Sequence, residues 1–175
     1  MKWQAAAEDI HSAARTHLYN KERGAFYKGI RVLNDEITYN DTLDSSALYG
    51  AFMYGLFPMD SAEIASALTV HRETFGVRTD QPGVPRYEHD TYRRASENAP
   101  SNWWHVTTLW DAQYHIDQQD STSALQILDW EQSHATNTGM LGEQINPETG
   151  EHVAPTPLTW SHAEYVSTLI DLIGK

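Results

Sequence analysis

At 175 residues, with 40% hydrophobic and 21% charged residues, the chain is long and apolar enough to fold around a core, and it reads as a single domain, 1–175. Its 24 Asp and Glu against 12 Lys and Arg leave a formal charge of -12. That balance disfavours nucleic acid and anionic membrane surfaces and leaves neutral partners such as carbohydrates unpenalised. Cysteine is absent, which excludes a disulfide framework and any Cys-ligated metal. Met1–Asp9 lacks the apolar core of a secretion signal and no run approaches a membrane span, so a soluble, cytoplasmic protein is expected.

In chain order, the apolar spacing predicts six helices. The first covers about 3–19, with Trp3, Ala6, Ile10 and Ala14 on one stripe. The second, about 45–57, follows a cap signal at Asp44 and stops at Pro58. The third begins at the cap candidate Asp60 and ends near Gly76, carrying Ile64, Ala67, Leu68 and His71. The fourth, about 102–117, has large apolar residues around most of its circumference and is expected to be buried on several sides. The fifth, about 121–134, opens on the cap cluster Asp120-Ser121-Thr122. The sixth, about 161–173, shows Val166, Leu169, Ile170 and Ile173 on its stripe. Residues 25–32 and 36–39, separated by Asn34-Asp35, are predicted to pair as a short hairpin.

Two connections, 80–100 and 136–157, are too long for ordinary loops and are read as either functional or disordered. They alternate with direct helix connections, so the pattern is one of helical hairpins side by side, with the working loops gathered at one end.

The chemistry-bearing residues fall in those loops. In Gly139-Met140-Leu141-Gly142-Glu143-Gln144, the glycines let the backbone turn and approach a ligand, Glu143 supplies a carboxylate and Gln144 an amide for hydroxyls. Alone, such a glutamate reads as a solvated loop charge; its neighbours argue otherwise. In Arg86-Tyr87-Glu88-His89-Asp90, Arg supplies a planar donor fork for vicinal hydroxyls and Tyr a face for a pyranose ring, while Arg86 with Asp90 also reads as a structural ion pair. Trp104 and Trp160, each at a helix start beside a loop, are the sugar-stacking candidates, whereas Trp110 and Trp130 read as core. Glu164 reads either as a partner of His162 or, in preference, as a helix-face charge. The nine His residues show no ligand spacing, so no metal is expected, and neither a nucleophile elbow nor a phosphate-cradling loop occurs. No cofactor is expected.

Five short pieces in register resemble the C-terminal part of glycoside hydrolase family 15, the glucoamylase, glucodextranase and trehalase group of six-hairpin glycosidases. They are Asp41-Thr42-Leu43-Asp44-Ser45-Ser46-Ala47-Leu48 with the Pro58-Met59-Asp60 turn, Arg86 to Tyr92, Trp104 with Thr108-Leu109-Trp110-Asp111-Ala112-Gln113-Tyr114, Glu143-Gln144, and Pro157 to Glu164. The resemblance implies an all-α fold, half of an (α/α)6 toroid, with about six helices as three hairpins and the site at the loop-rich end. It also implies an inverting, exo-acting hydrolase of α-glucans or α-glucosides. Glu143 matches the family's general base, Arg86 and Tyr87 its sugar-holding residues, and Glu88, Asp90, Trp104, Gln144 and Trp160 line the same site. The family's general acid lies on an upstream Trp-Glu motif. The only Trp-Glu pair here, Trp130-Glu131, falls inside the fifth helix and matches a different element. The chain therefore resembles a half-toroid that carries the base without the acid, with an N-terminal half-toroid partner or a homo-oligomer expected to cover its apolar edge. The alternative is a non-catalytic carbohydrate-binding or regulatory toroid module.

Overall fold

A computed structural model describes residues 2–99 and 101–174, so Pro100, the last residue of the first long loop, lies outside it. Two compact units divide the chain, Met1–Thr74 and Phe75–Lys175.

The first unit holds α1 (Lys2–His17), two antiparallel pairs, β1 (Tyr19–Asn20) with β2 (Ala25–Phe26) and β3 (Gly29–Leu33) with β4 (Glu36–Asn40), then α2 (Ser45–Met53) and α3 (Ala62–Phe75). The hairpin is shorter than predicted at its start, because Ala25 and Phe26 pair back onto Tyr19 and Asn20 instead. Asn34 and Asp35 make its turn with both φ values positive, which short Asx side chains tolerate. Asp44 caps α2 by accepting from the Ser46 amide at 2.8 Å. That helix ends at Met53, before the predicted Phe57, because Gly55 takes the left-handed conformation (φ 69°) that closes the last turn. Ser61, not Asp60, caps α3, its hydroxyl accepting from the Ile64 amide at 3.3 Å. The apolar stripe of α1 is exposed: Trp3 and Ile10 are 85% and 71% accessible, and no residue of the helix is buried.

The second unit holds β5 (Trp103–Trp104), α4 (His105–Asp117), α5 (Ser121–Ser133), β6 (Gln144–Ile145) and α6 (Thr159–Gly174), with α4 packed on both α5 and α6. Burial of α4 on several sides is as predicted, with nine of its residues enclosed from His105 to Ile116. Trp110 and Trp130, expected in the core, are half-buried. Asp120 caps α5 through the Ser123 amide. Trp104 is the N-cap of α4, at a helix start as expected, but neither it nor Trp103 lies within the helix. They are extended and pair with Gln144 and Ile145, which delays α4 to His105. Among the described residues no helix is long and apolar enough to cross a membrane.

Gly83 is required by this packing, since a Cβ there would lie 2.3 Å from the Trp103 indole. Gly83→Ala should therefore lower stability by roughly 1–3 kcal/mol, the usual cost of overpacking, and a urea melt should show a lower midpoint with an unchanged slope.

Candidate functional site

Four short extended segments lie side by side at the loop end of the second unit. Pro85 bridges Trp103, β5 pairs with β6, and Ile145 bridges His152. The Trp104 amide donates to the Val84 carbonyl at 3.0 Å, and the Val153 amide to the Gln144 carbonyl at 3.2 Å. The first turn of α4 is stitched to the same ribbon: the Thr108 hydroxyl accepts from the Val84 amide at 2.9 Å and donates to the Trp104 carbonyl at 2.8 Å. Both long loops are thus tied to one rigid strip. The ribbon brings together six of the predicted residues, Arg86, Tyr87, Asp90, Trp104, Glu143 and Gln144.

Arg86 is held as a fork. Its Nε and Nη2 donate to the two oxygens of Asp90 at 2.8 and 3.0 Å, and Nη2 reaches the Tyr87 hydroxyl at 3.3 Å. The guanidinium lies 4.4 Å from the Trp104 ring, 4.7 Å from Tyr87 and 5.5 Å from Tyr92. Burial, the largest single influence, opposes its charge, but the Asp90 carboxylate and Tyr87 together outweigh it and raise the pKa, so the group is a permanent cation. Asp90 is 2% accessible, which makes it the anchor of the fork and removes it as an open ligand contact, contrary to expectation. Trp104 likewise presents no open face at 4% accessibility; its ring carries Arg86. Glu88 is half-buried on the same loop. Trp160 stands apart at the head of α6, half exposed, in a T-shaped contact with Trp110 whose ring centroids are 6.2 Å apart.

Glu143 is half-buried on the turn into β6. Its amide donates to the Pro155 carbonyl at 3.1 Å. The Gln144 side chain, expected to reach sugar hydroxyls, is completely buried and serves the glutamate instead. Its Nε2 donates to Glu143 Oε2 at 3.0 Å, while its Oε1 accepts from Asn102 Nδ2 at 2.7 Å. Glu143 lies on the bend just before β6, so the buried Gln144 amide can reach back to its carboxylate while Asn102 satisfies the amide oxygen. The signature at the start of α6 holds the other flank. The Ser161 hydroxyl donates to the Gly142 carbonyl at 2.6 Å, and His162 Nε2 accepts from the Leu141 amide at 3.0 Å. Glu164 accepts from Gln113 Nε2 at 2.7 Å, tying α6 to α4 rather than standing as a solvated charge.

Behind the ribbon lies a group that the site residues did not predict. His105 Nδ1 and Glu131 Oε2 are 2.5 Å apart, and both side chains are completely buried. Two unprotonated acceptors cannot approach so closely, so one proton lies between them. Burial, the larger influence, raises the Glu131 pKa, against the opposing hydrogen bond from His105. The His152 ring stacks on His105 with centroids 5.5 Å apart. A signal for Glu131 was present in the sequence, where it follows Ala124, Ile127 and Leu128 at the next position of the apolar stripe.

The comparisons with known proteins agree on the fold. The model of glycosyl hydrolases family 15 matches residues 121–170, a span that includes α5, Glu143 and most of α6. No curated protein sequence matches the chain. A bacterial glucoamylase solved with acarbose superposes with a TM-score of 0.79 at 21% identity, covering 99% of this chain and 29% of its own. A glycosidase variant in complex with glucose gives 0.71 at 21% identity, covering 98% and 44%. The Hormoconis resinae glucoamylase gives 0.59 at 18%, covering 91% and 36%. The chain thus spans less than half the length of each of these structures. The resemblance to family 15 drawn from the sequence stands, and the fold is that of part of an (α/α)6 toroid.

The buried pair gives this unit a pH signature. Glu131 binds its proton more tightly in the fold than the ordinary value near 4.5, so its contribution is full below 4.5 and is lost as pH rises through the raised value. Relative to Glu131→Gln, the native chain should therefore lose melting temperature as pH climbs through that window, as differential scanning calorimetry of the two proteins would show.

Proposed function

We propose that this chain forms the base-bearing and sugar-holding part of an inverting, exo-acting hydrolase of α-glucans or α-glucosides. The observation that carries the reading is the mounting of Glu143: half-buried on a pinned turn, with one carboxylate oxygen held by a buried amide. In such a reaction one carboxylic acid protonates the glycosidic oxygen. A carboxylate about 6.5–9.5 Å away takes a proton from the water that attacks the opposite face of the anomeric carbon. Glu143 acts as that base. Its Oε2 is fixed by Gln144, which leaves Oε1 for the water. Arg86, set by Asp90, holds sugar hydroxyls with Tyr87, Glu88 lies on their loop, and Trp160 offers a half-exposed indole face. Trp104 and Gln144 act through Arg86 and Glu143 rather than by touching sugar.

The general acid comes from polypeptide outside these 175 residues. Glu131 is a poor substitute, since it is sealed from solvent and hydrogen-bonded to His105. A helical partner bearing that acid also suits the surface of α6, where Val166, Ile170 and Ile173 share one stripe at 54%, 64% and 82% accessibility.

Isothermal titration of the chain with acarbose tests the reading. Binding is expected, and Arg86→Ala or Glu143→Gln should weaken it at least about tenfold, roughly 1.4 kcal/mol. No binding at millimolar acarbose would overturn the reading. The chain alone should turn over maltose at least about 100-fold more slowly than with an acid-bearing partner supplied, because a positioned acid contributes roughly 10²–10⁴-fold. Binding with no gain on adding such a partner would favour a non-catalytic carbohydrate-binding module.

A further inference from the structure

His152 sits where the ribbon meets the Glu143 turn. Its Nε2 lies 2.7 Å from the His134 carbonyl, which can only accept, so Nε2 carries the proton of the neutral ring. Any second proton must enter at Nδ1. That atom is buried and makes no hydrogen bond among the described residues. It also crowds Gly142: a Cβ on that glycine would stand 2.4 Å from His152 Nδ1 and 2.4 Å from the Thr156 hydroxyl. The remaining groups facing the ring offer a proton no compensation. His105 stacks on it, and the Glu131 carboxylate is hydrogen-bonded to His105 through Oε2. From α5, His134 presents its carbonyl to Nε2, and its own ring is committed to the Trp130 carbonyl and the Ser133 hydroxyl. Burial lowers the His152 pKa below the usual 6.5, and the nearby His105 and His134 act in the same direction against the His134 carbonyl bond.

We propose that Glu131, His105 and His152 are positioning residues for the candidate base: the buried pair fixes the stacking surface, and neutral His152 holds Gly142, and with it Glu143, in place. Protonation of Nδ1 displaces Gly142, because the added N–H enters the crowded space between the ring, the glycine and the Thr156 side chain at an atom that now makes no hydrogen bond, and the carboxylate of the next residue moves with it. The alignment of the base is therefore lost on acidification. This rests on the reading of Glu143 as the base only for its consequence on sugar, since the coupling itself is a property of the fold.

Two-dimensional NMR of the whole chain across pH 5–8 tests it. The amide signals of Gly142 and Glu143 should shift with the midpoint of the His152 ring nitrogens, below the ordinary histidine value. In His152→Gln, whose amide keeps a donor for the His134 carbonyl, the shift should be gone. Amides that stay still while the wild-type ring titrates would overturn the proposal. So would amides that still titrate in His152→Gln, or a ring that remains neutral until the chain unfolds. Acarbose affinity should fall through the same midpoint in the wild type and stay level in His152→Gln. Coupled amides with no acarbose binding at any pH would sink the sugar reading and leave the positioning role standing.

Discussion

The site depends on a ribbon four segments wide and only about two residues long. Val84-Pro85, Trp103-Trp104, Gln144-Ile145 and His152 are separated by long stretches of sequence, yet adjacent segments are joined by backbone pairing. Such a ribbon is too short to be stable alone. It persists because its ends are clamped: the Thr108 hydroxyl binds Val84 and Trp104 from α4, and Ser161 and His162 bind Gly142 and Leu141 from α6. Two loops of about twenty residues each would otherwise spend their closure entropy separately. Sharing one strip orders both with the same few bonds.

Buried polar groups do the fixing, which limits what the site can tolerate. Gln144, Asn102, Ser101 and Asp90 are all enclosed. Each has a partner: Ser101 bonds the Asp90 amide and the Tyr87 carbonyl, and Asn102 bonds Gln144, the Arg93 carbonyl and the Ala95 amide. An unsatisfied group in such surroundings costs about 1–3 kcal/mol, so each member constrains the rotamer of the next. The chain of bonds runs from the first long loop, through Asn102, to the Glu143 carboxylate. Rigidity at a half-exposed glutamate thus comes from side chains that never meet solvent.

What the sequence made legible follows from this division. Helix periodicity and Asx caps are local, and α2, α5 and α6 were readable from them. The hairpin turn at Asn34-Asp35 was local too. The β5–β6 pairing was not, because a two-residue strand has no period and Trp-Trp before an apolar run looks like a helix start. The same gap hid the role of Gln144: an amide beside a candidate base suggests a ligand contact until the pleat shows it on the buried face. Glu131 was legible in position and illegible in meaning, since a carboxylate on an apolar stripe needs a partner that only tertiary structure names. The exposure of the α1 stripe shows the converse, a pattern present without a packed surface among the described residues of its unit.

The two readings of Arg86, structural ion pair or sugar contact, prove not to compete. A guanidinium has five N–H groups in one plane. Asp90 and Tyr87 take those of Nε and Nη2, and no bond within the described residues uses Nη1. Stacking over Trp104 fixes the tilt of that plane, and the buried Asp90 fixes its rotation. The side chain keeps 34% of its surface accessible, so the unspent edge can face a ligand. An arginine that had to be ordered by its ligand would spend binding energy on its own rotamers, up to about 2 kcal/mol. Here the ion pair meets that cost during folding, and the structural role is what makes a binding role efficient.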